Sequence, residues 1–490
     1  MKELGIQQVY DHVNGALAEK NYPLMSQLLW PALDQFPNDP VLLHFAAHLF
    51  TVENKLVPAL LCAMKANELE PTGANYTNLG SIFRRLNMVE ESHAALIEAV
   101  GYEPKNKHPW NNLAAAHCNE GNPLPGIAAA DEALRLDPDF DKARWNRGLL
   151  LLESGNFADG FDDYRAGLTI GERLLKTYAE DPEQEPQLVS DLEVLKKWRH
   201  DNGKRPRLIV WGEQGLGDEI MFSTIFPDLA EDAEIIYDCH PRMHDIMTRS
   251  YGYLCKEIYP TRKLKGADWY KDTPPCQFKC SIGDIARWYR RSLDAFTHAK
   301  IAEAPWIVPN AAESAKYRAN LEDLAPGKKY VGFAWTGGIL STQRWYRCCQ
   351  LPELAPMLMH PDIQPVSLQY EDDAAPVQAF YEDTDKLVYR FPGITEHFDM
   401  DHTLALIDSL DAVVTVCQTV AHLAAAAGKQ TFVLTPDKPA WRYGLTSKEW
   451  FWYENSALYR RPADQWEPAV IECTLDLYKY LRLNPMENVA

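Results

Sequence analysis

The chain has 490 residues, 46% of them hydrophobic and 11% aromatic, with a formal net charge of −20. That length exceeds a single core and predicts two or three domains, while the apolar content excludes a disordered chain. Residues 1–170 carry 13 Lys and Arg against 22 Asp and Glu, and the remainder 36 against 47, so both parts are acidic and a general phosphate-backbone binder is disfavoured.

The first residues, Met1-Lys2-Glu3-Leu4-Gly5-Ile6, lack the apolar run of a secretory signal, and no stretch approaches eighteen apolar residues. A cytoplasmic protein without membrane contact is expected. The 10 cysteines are scattered, and Cys276 and Cys280 have no second ligand pair at zinc-site spacing. They read as reduced thiols, and no metal or cofactor is expected.

Pro37, Pro71, Pro104 and Pro138 recur at spacings of 34, 33 and 34 residues. A helical hairpin repeat of that period needs a stop between units, and proline supplies it because it lacks the N–H that would continue the helix. Asn75-Tyr76-Thr77-Asn78-Leu79-Gly80, Pro109-Trp110-Asn111-Asn112-Leu113-Ala114 and Ala143-Arg144-Trp145-Asn146-Arg147-Gly148 open successive units. Small residues let paired helices approach and large ones fill the groove between neighbours. The pattern closely resembles tetratricopeptide repeats, and about five hairpins are expected over residues 1–168. The resemblance implies a concave surface for a protein or peptide. Asn78, Asn112 and Asn146 recur at one repeat position, with Asn111 and Arg147 beside them. They are candidates to hold an acceptor backbone, or else solvated polar positions. A solenoid this short also suits docking on its own second half, or a homodimer.

Residues 169–204 read as a charged helical linker. Arg207–Trp211 is strand-like and leads into Gly212-Glu213-Gln214-Gly215-Leu216-Gly217-Asp218. A strand, a tight glycine turn and a helix start bring backbone N–H groups close to a ligand. Strands at 234–238 and 253–258 and a helix at 284–295 complete a first lobe, 205–310. A second alternation over 311–490 has strands at 330–335, 364–369, 412–416 and 431–434, and a small-residue helix from Thr419. Its C-terminal helix is placed either within this lobe or crossing back to the first. Two Rossmann-like units in tandem leave a cleft at the carboxyl ends of their strands.

Five segments in order, Glu213–Asp218, Val331–Trp335, Ser367–Gln369, Val420–Leu423 and Ala440–Tyr443, resemble the heptosyltransferase-like enzymes of glycosyltransferase family 9. Behind the repeats, the architecture is also similar to that of O-linked N-acetylglucosamine transferases. The resemblance implies a fold class of α-solenoid followed by a GT-B pair of Rossmann-like domains. It implies a metal-independent transferase moving a sugar from a nucleotide sugar to a macromolecule, with protein the expected acceptor.

Within that resemblance Asp218 is the candidate general base, or a cap of the following helix. The leaving diphosphate needs cations or aligned N–H groups. Gly215, Gly217, Trp335, Thr336, Gly337, Arg344, Arg347, Gln369, Gln418, Thr419, Val420, His422 and Trp441 are the candidate nucleotide-sugar contacts. For His422 the alternative is a core histidine, for Arg344 and Arg347 surface ion pairs, and for Trp441 core packing. Where the family usually carries Asp-Thr this chain has Cys417-Gln418. That departure keeps open a non-catalytic repeat adaptor with a degenerate transferase domain. Transfer to a modified nucleic-acid base is a further alternative, disfavoured by the acidic balance.

Overall fold

The computed structural model describes residues 5–486, except 265–266, 298–304, 338–343, 371, 392, 395–398 and 463–464. The chain forms two compact units, Met1–Leu151 and Leu152–Ala490.

The first unit is a run of antiparallel helices: α1 (Ile6–Ala18), α2 (Tyr22–Gln35), α3 (Pro40–Val52), α4 (Leu56–Leu69), α5 (Gly73–Arg85), α6 (Val89–Tyr102), α7 (Lys107–Glu120), α8 (Pro123–Leu136) and α9 (Asp141–Glu153). Each of the four periodic prolines falls between one hairpin and the next. The restart after proline is locally encoded. The Asp39 carboxylate accepts from the N–H groups of Val41 and Leu42 at 3.0 and 2.9 Å, and Thr72 and Asn106 cap α5 and α7 in the same way. Gly80 packs so closely that a Cβ there would lie 2.5 Å from the Leu96 side chain. Ala46, Ala59, Ala66, Ala99, Ala114 and Ala130 are fully buried at the other helix contacts. This is a helical-repeat solenoid of the expected period.

The second unit contains two parallel sheets. The first comprises β1 (Gln187–Leu188), β2 (Arg207–Trp211), β3 (Glu234–Asp238), β4 (Cys255–Tyr259) and β5 (Phe278–Ser281), in the order β1-β5-β2-β3-β4. The second comprises β6 (Lys329–Ala334), β7 (Ile363–Ser367), β8 (Ala412–Val416), β9 (Thr431–Thr435) and β10 (Ser456–Arg460), in the order β10-β9-β8-β6-β7. All strand pairs are parallel, and β2, β3, β5, β8 and β9 are buried nearly throughout, as sheets covered on both faces require.

Several boundaries differ from the sequence reading. The helix Phe157–Tyr164, expected in the solenoid, belongs to the second unit, because Phe161 and Tyr164 pack their rings on Trp441, and Phe157 on Phe296 and Phe451. The expected linker is instead part of the first lobe. It supplies β1, which pairs with β5, and it buries Arg173 and Lys176. The expected helix at 284–295 is broken into short turns at Ile282–Ile285, Ala286–Tyr289 and Asp294–Thr297. The C-terminal helix Glu467–Leu481 does not cross back. Its Ala469, Val470, Cys473 and Leu477 join the core of the second sheet with Val331, Phe333 and Val414. No helix among the described residues is long and apolar enough to cross a membrane.

Arg173 is the central buried charge of this unit. Its guanidinium donates to Glu213 and, at 2.8 Å, to Asp284, and the three side chains are at most 1% exposed. Removing one partner of such a group strands the others in low dielectric. Arg173→Met is therefore expected to destabilise the second unit by about 3–5 kcal/mol in urea unfolding. Adding Glu213→Gln should recover part of that loss. A midpoint equal to wild type in the single variant would show that the network does not hold the lobe.

Candidate active site

The loop between β2 and the helix Leu216–Ser223 is fixed from beneath by charge. Glu213, just after β2, takes Arg173 and also accepts from Gly283 N–H at 3.1 Å. Gln214 sits in the left-handed region at φ 55°, unusual for a residue with a Cβ. It is held at both ends, since its side-chain oxygen accepts from the Tyr164 hydroxyl at 2.7 Å and its carbonyl from Arg262. Glu219, one turn into the helix, bonds Arg262, the Tyr237 hydroxyl at 2.7 Å and His240 N–H at 2.9 Å. Gly212 must be glycine here, because a Cβ would lie 2.5 Å from the Glu219 carboxyl carbon.

This frame presents Asp218 at the carboxyl end of β2. Its Oδ2 accepts from Gly215 N–H at 3.1 Å, so the capping role read from sequence is real. Its Oδ1 lies 2.6 Å from the guanidinium of Arg442, in the turn Trp441–Tyr443 that follows β9. The carboxyl ends of the two sheets therefore meet at this pair. The helices Leu216–Ser223 and Thr419–Ala426 also face each other, with Gly217 so close to His422 that a Cβ would stand 2.8 Å from the ring.

Around the carboxyl end of β8 the chain gathers cations. Burial pushes the Cys417 thiol up to about 12, and the guanidinium groups of Arg347, Arg460 and Arg442 pull against it. Arg460 donates to Tyr443 O at 2.9 Å, Ser447 O at 2.8 Å and the Thr435 hydroxyl at 3.4 Å, all uncharged. The Nε atoms of Arg442 and Arg460 are buried with no hydrogen-bond partner among the described residues. Buried donors left open in this way mark a place for an acceptor. The first-turn N–H groups of Thr419 and Val420 add the positive end of a helix at the same strand terminus.

Other expected contacts have internal duties. Gln369 is 3% exposed and its amide oxygen accepts from Trp335 N–H at 2.9 Å and Thr336 N–H at 3.1 Å, so it shapes the turn after β6. Trp335 is buried, and Gly337 donates its N–H to Cys348 Sγ at 3.2 Å and abuts Gln418. Gln418 donates to the Thr415 hydroxyl at 3.2 Å. Trp441 is an aromatic core residue against Phe161, Tyr164, Phe222 and Trp452, not a wall of the cleft. His422, expected at the diphosphate, is 2% exposed, with Tyr453 and Tyr443 hydroxyls at 3.1 and 3.3 Å from its two ring nitrogens. Burial and then Arg442 push its titration well below 6.5, so it is a neutral core histidine and supplies no charge to an anion. The side chain of Arg344 lies outside the described residues. Arg442 and Arg460 were missed in the sequence; Arg442 lay inside a quoted motif, and nothing local marked Arg460.

In the solenoid the expected acceptor asparagines mostly stitch one repeat to the next. Asn78 donates to His44 O at 3.2 Å, Asn112 to the Ser81 hydroxyl at 3.1 Å, and Asn146 to Asn111 Oδ1 at 3.0 Å. Arg147 pairs with Asp131 at 2.7 Å.

No family model matches the chain. It is similar to protein FlbA of Caulobacter vibrioides, at 27% identity over 413 residues, covering 77% of this chain and 68% of that protein. Similar solved structures include a tetratricopeptide protein of Thermus thermophilus, at 19% identity, covering 34% of this chain and 91% of that one, with a TM-score of 0.31. They also include PilW, a type IV pilus biogenesis factor, at 17% identity, 35% and 79% coverage and a TM-score of 0.31.

The neutral state of His422 has a signed consequence. The unfolded imidazole takes up a proton below pH 6.5 and the folded one does not, so this group's contribution to stability is present above 6.5 and is lost as pH falls. Between pH 7.5 and 5.5 the wild type is expected to lose about 1.4 kcal/mol more than His422→Gln, read from urea midpoints. Equal pH slopes would mean that the ring protonates within the fold.

Proposed function

We propose that the second unit is a glycosyltransferase of GT-B arrangement that uses a nucleotide sugar and needs no metal, with the repeats recruiting a protein acceptor. The observation that carries this reading is the meeting of Asp218 and Arg442 where the carboxyl ends of two parallel sheets converge. Ligands of open α/β sheets bind at such strand ends.

In this reading the donor's diphosphate lies against Arg442, Arg460, Arg347 and the start of the Thr419–Ala426 helix. The guanidinium of Arg442 exchanges Asp218 for a phosphate oxygen, which frees Oδ1 to accept a proton. The acceptor hydroxyl gives its proton to Asp218 as its oxygen bonds the anomeric carbon. The bond from that carbon to the diphosphate oxygen breaks, and the departing negative charge is held by the arginines. The substrate thus unlocks the base that acts on it. The finding that protein FlbA resembles this chain adds no chemistry to the reading.

A non-catalytic adaptor remains the second reading, because both Asp218 oxygens are already engaged and Cys417-Gln418 brings no carboxylate to the site. The two separate cleanly. Incubation with a nucleotide-sugar panel and cell extract, followed by mass spectrometry, should show a hexose-sized or similar adduct on an acceptor. Asp218→Asn is expected to lower transfer by about 10²–10⁴-fold while leaving nucleoside-diphosphate binding intact. Arg442→Ala is expected to weaken that binding by at least about tenfold. Nucleotide binding without transfer, unchanged in Asp218→Asn, would establish the adaptor. No binding of any nucleotide sugar or nucleoside diphosphate by calorimetry would end the transferase reading.

A further inference from the structure

A second cluster of chemistry stands apart from the cleft, in the helical-repeat unit. α6 closes one hairpin and α7 opens the next, and at their contact three ligand-type side chains converge. His93 comes from α6, and His117 and Glu120 lie three residues apart on the last turn of α7. His93 Nε2 is 3.0 Å from one Glu120 oxygen, and His117 Nδ1 is 3.8 Å from the other. One donor atom from each residue can be chosen so that all lie within 4.8 Å of one another. The imidazole rings stand 4.3 Å apart, inclined at 52°.

We propose that His93, His117 and Glu120 form a zinc site that staples α6 to α7. A tetrahedral zinc ion holds imidazole nitrogen and carboxylate oxygen at about 2.0–2.2 Å, which sets neighbouring donors about 3.3 Å apart. The observed separations span that value, so small side-chain rotations close the site without moving the helices. Two imidazoles and one carboxylate are the borderline ligands zinc favours over magnesium or calcium, which prefer all-oxygen shells. A water completes the fourth position.

A further observation points to a cation. The His117 Nδ1 is buried with no hydrogen-bond partner among the described residues, although an imidazole in a folded protein ordinarily finds one. Side-chain exposures of 21% for His93 and 12% for His117 and Glu120 leave the ion a path in while keeping bulk water mostly out. The sequence gives no warning of the site, because 24 residues separate His93 from His117 and only the hairpin stacking joins them.

The consequence is mechanical. Successive repeats of a solenoid are held mainly by nearest-neighbour contacts, so a covalent-strength staple at one junction stiffens the array there. Zinc would then set the curvature that the repeats present to a partner.

The test uses the full chain, purified without a histidine tag and stripped with a chelator. Zinc alone is titrated by calorimetry, and cobalt(II) is substituted to read the visible band of a four-coordinate site. One equivalent of zinc is expected, with a melting transition raised by several degrees. Glu120→Gln and His93→Gln, each checked for helical content by circular dichroism, should each weaken zinc binding at least tenfold and remove the shift. The proposal is overturned if the chain takes up no zinc. It is equally overturned if either folded variant binds zinc as the wild type does. A cobalt spectrum of six-coordinate type would overturn the proposed geometry.

Discussion

The bond set on which the second unit turns is the one around Arg173. Isolated buried ions cost several kcal/mol each, and a pair offsets that cost only when its hydrogen bonds are saturated. Here the guanidinium reaches Glu213, Asp284, the Tyr164 carbonyl and the Ser281 hydroxyl, and its flat face lies 4.4 Å over the Tyr164 ring. Glu213, Ser281 and Asp284 sit at the carboxyl edge of the first sheet, and Tyr164 ends the helix Phe157–Tyr164. Lys176 repeats the device one strand over, with Asp238 and the Thr261 carbonyl, and Tyr178 donates to the same aspartate at 2.9 Å. These ions give little stability beyond what packed hydrophobic groups would give. What they fix is register: a single arrangement of the segment 169–204, strand end and glycine loop satisfies all of them together.

That register passes directly to the candidate site. The Tyr164 hydroxyl and Arg262 clamp Gln214 in its left-handed conformation, and Gln214 fixes where the Leu216–Ser223 helix begins. The aromatic cluster of Phe161, Tyr164, Phe222, Trp441 and Trp452 then joins the two lobes behind the Asp218–Arg442 pair. Arg442 is adjacent in chain to Trp441, so any motion that opened the pair must carry a buried indole with it or turn the arginine side chain alone. Side-chain rotation is the cheaper route, since separating the rings would expose a large apolar area to water. A rotation of the Arg442 side chain alone therefore fits the packing better than a wide hinge.

The parts of this architecture that depend on local sequence were legible. The four prolines divide the hairpins where they were read to do so, and β2, β3 and β8 run over the predicted residues. Runs such as Arg207–Trp211 and Ala412–Val416 are short, apolar and bounded by turn residues, which suffices for a buried parallel strand. What was not legible depends on partners distant in sequence. Arg173 and Lys176 make residues 169–204 look solvated, yet their anions lie 40, 111 and 62 residues away. β5, with Phe278-Lys279-Cys280-Ser281, is too short and too polar to stand out. At the site, family position pointed to His422 and Gln369, both of which the fold consumes internally. Arg460 carried no mark, because its significance lies in donating to the uncharged oxygens of Thr435, Tyr443 and Ser447, an arrangement visible only in three dimensions.

A chain with a net charge of −20 repels small anions at long range, so anion affinity has to arise locally, within about a Debye length of roughly 8 Å. At the carboxyl end of β8 several cations gather. Three guanidinium groups act on Cys417, and Asp218 is the carboxylate that meets Arg442. An aspartate in place of Cys417 or Gln418 would have placed a further negative charge there and drawn on the same arginines. Cys417 and Gln418 therefore leave the carboxyl end of β8 with one negative charge fewer than an aspartate there would bring.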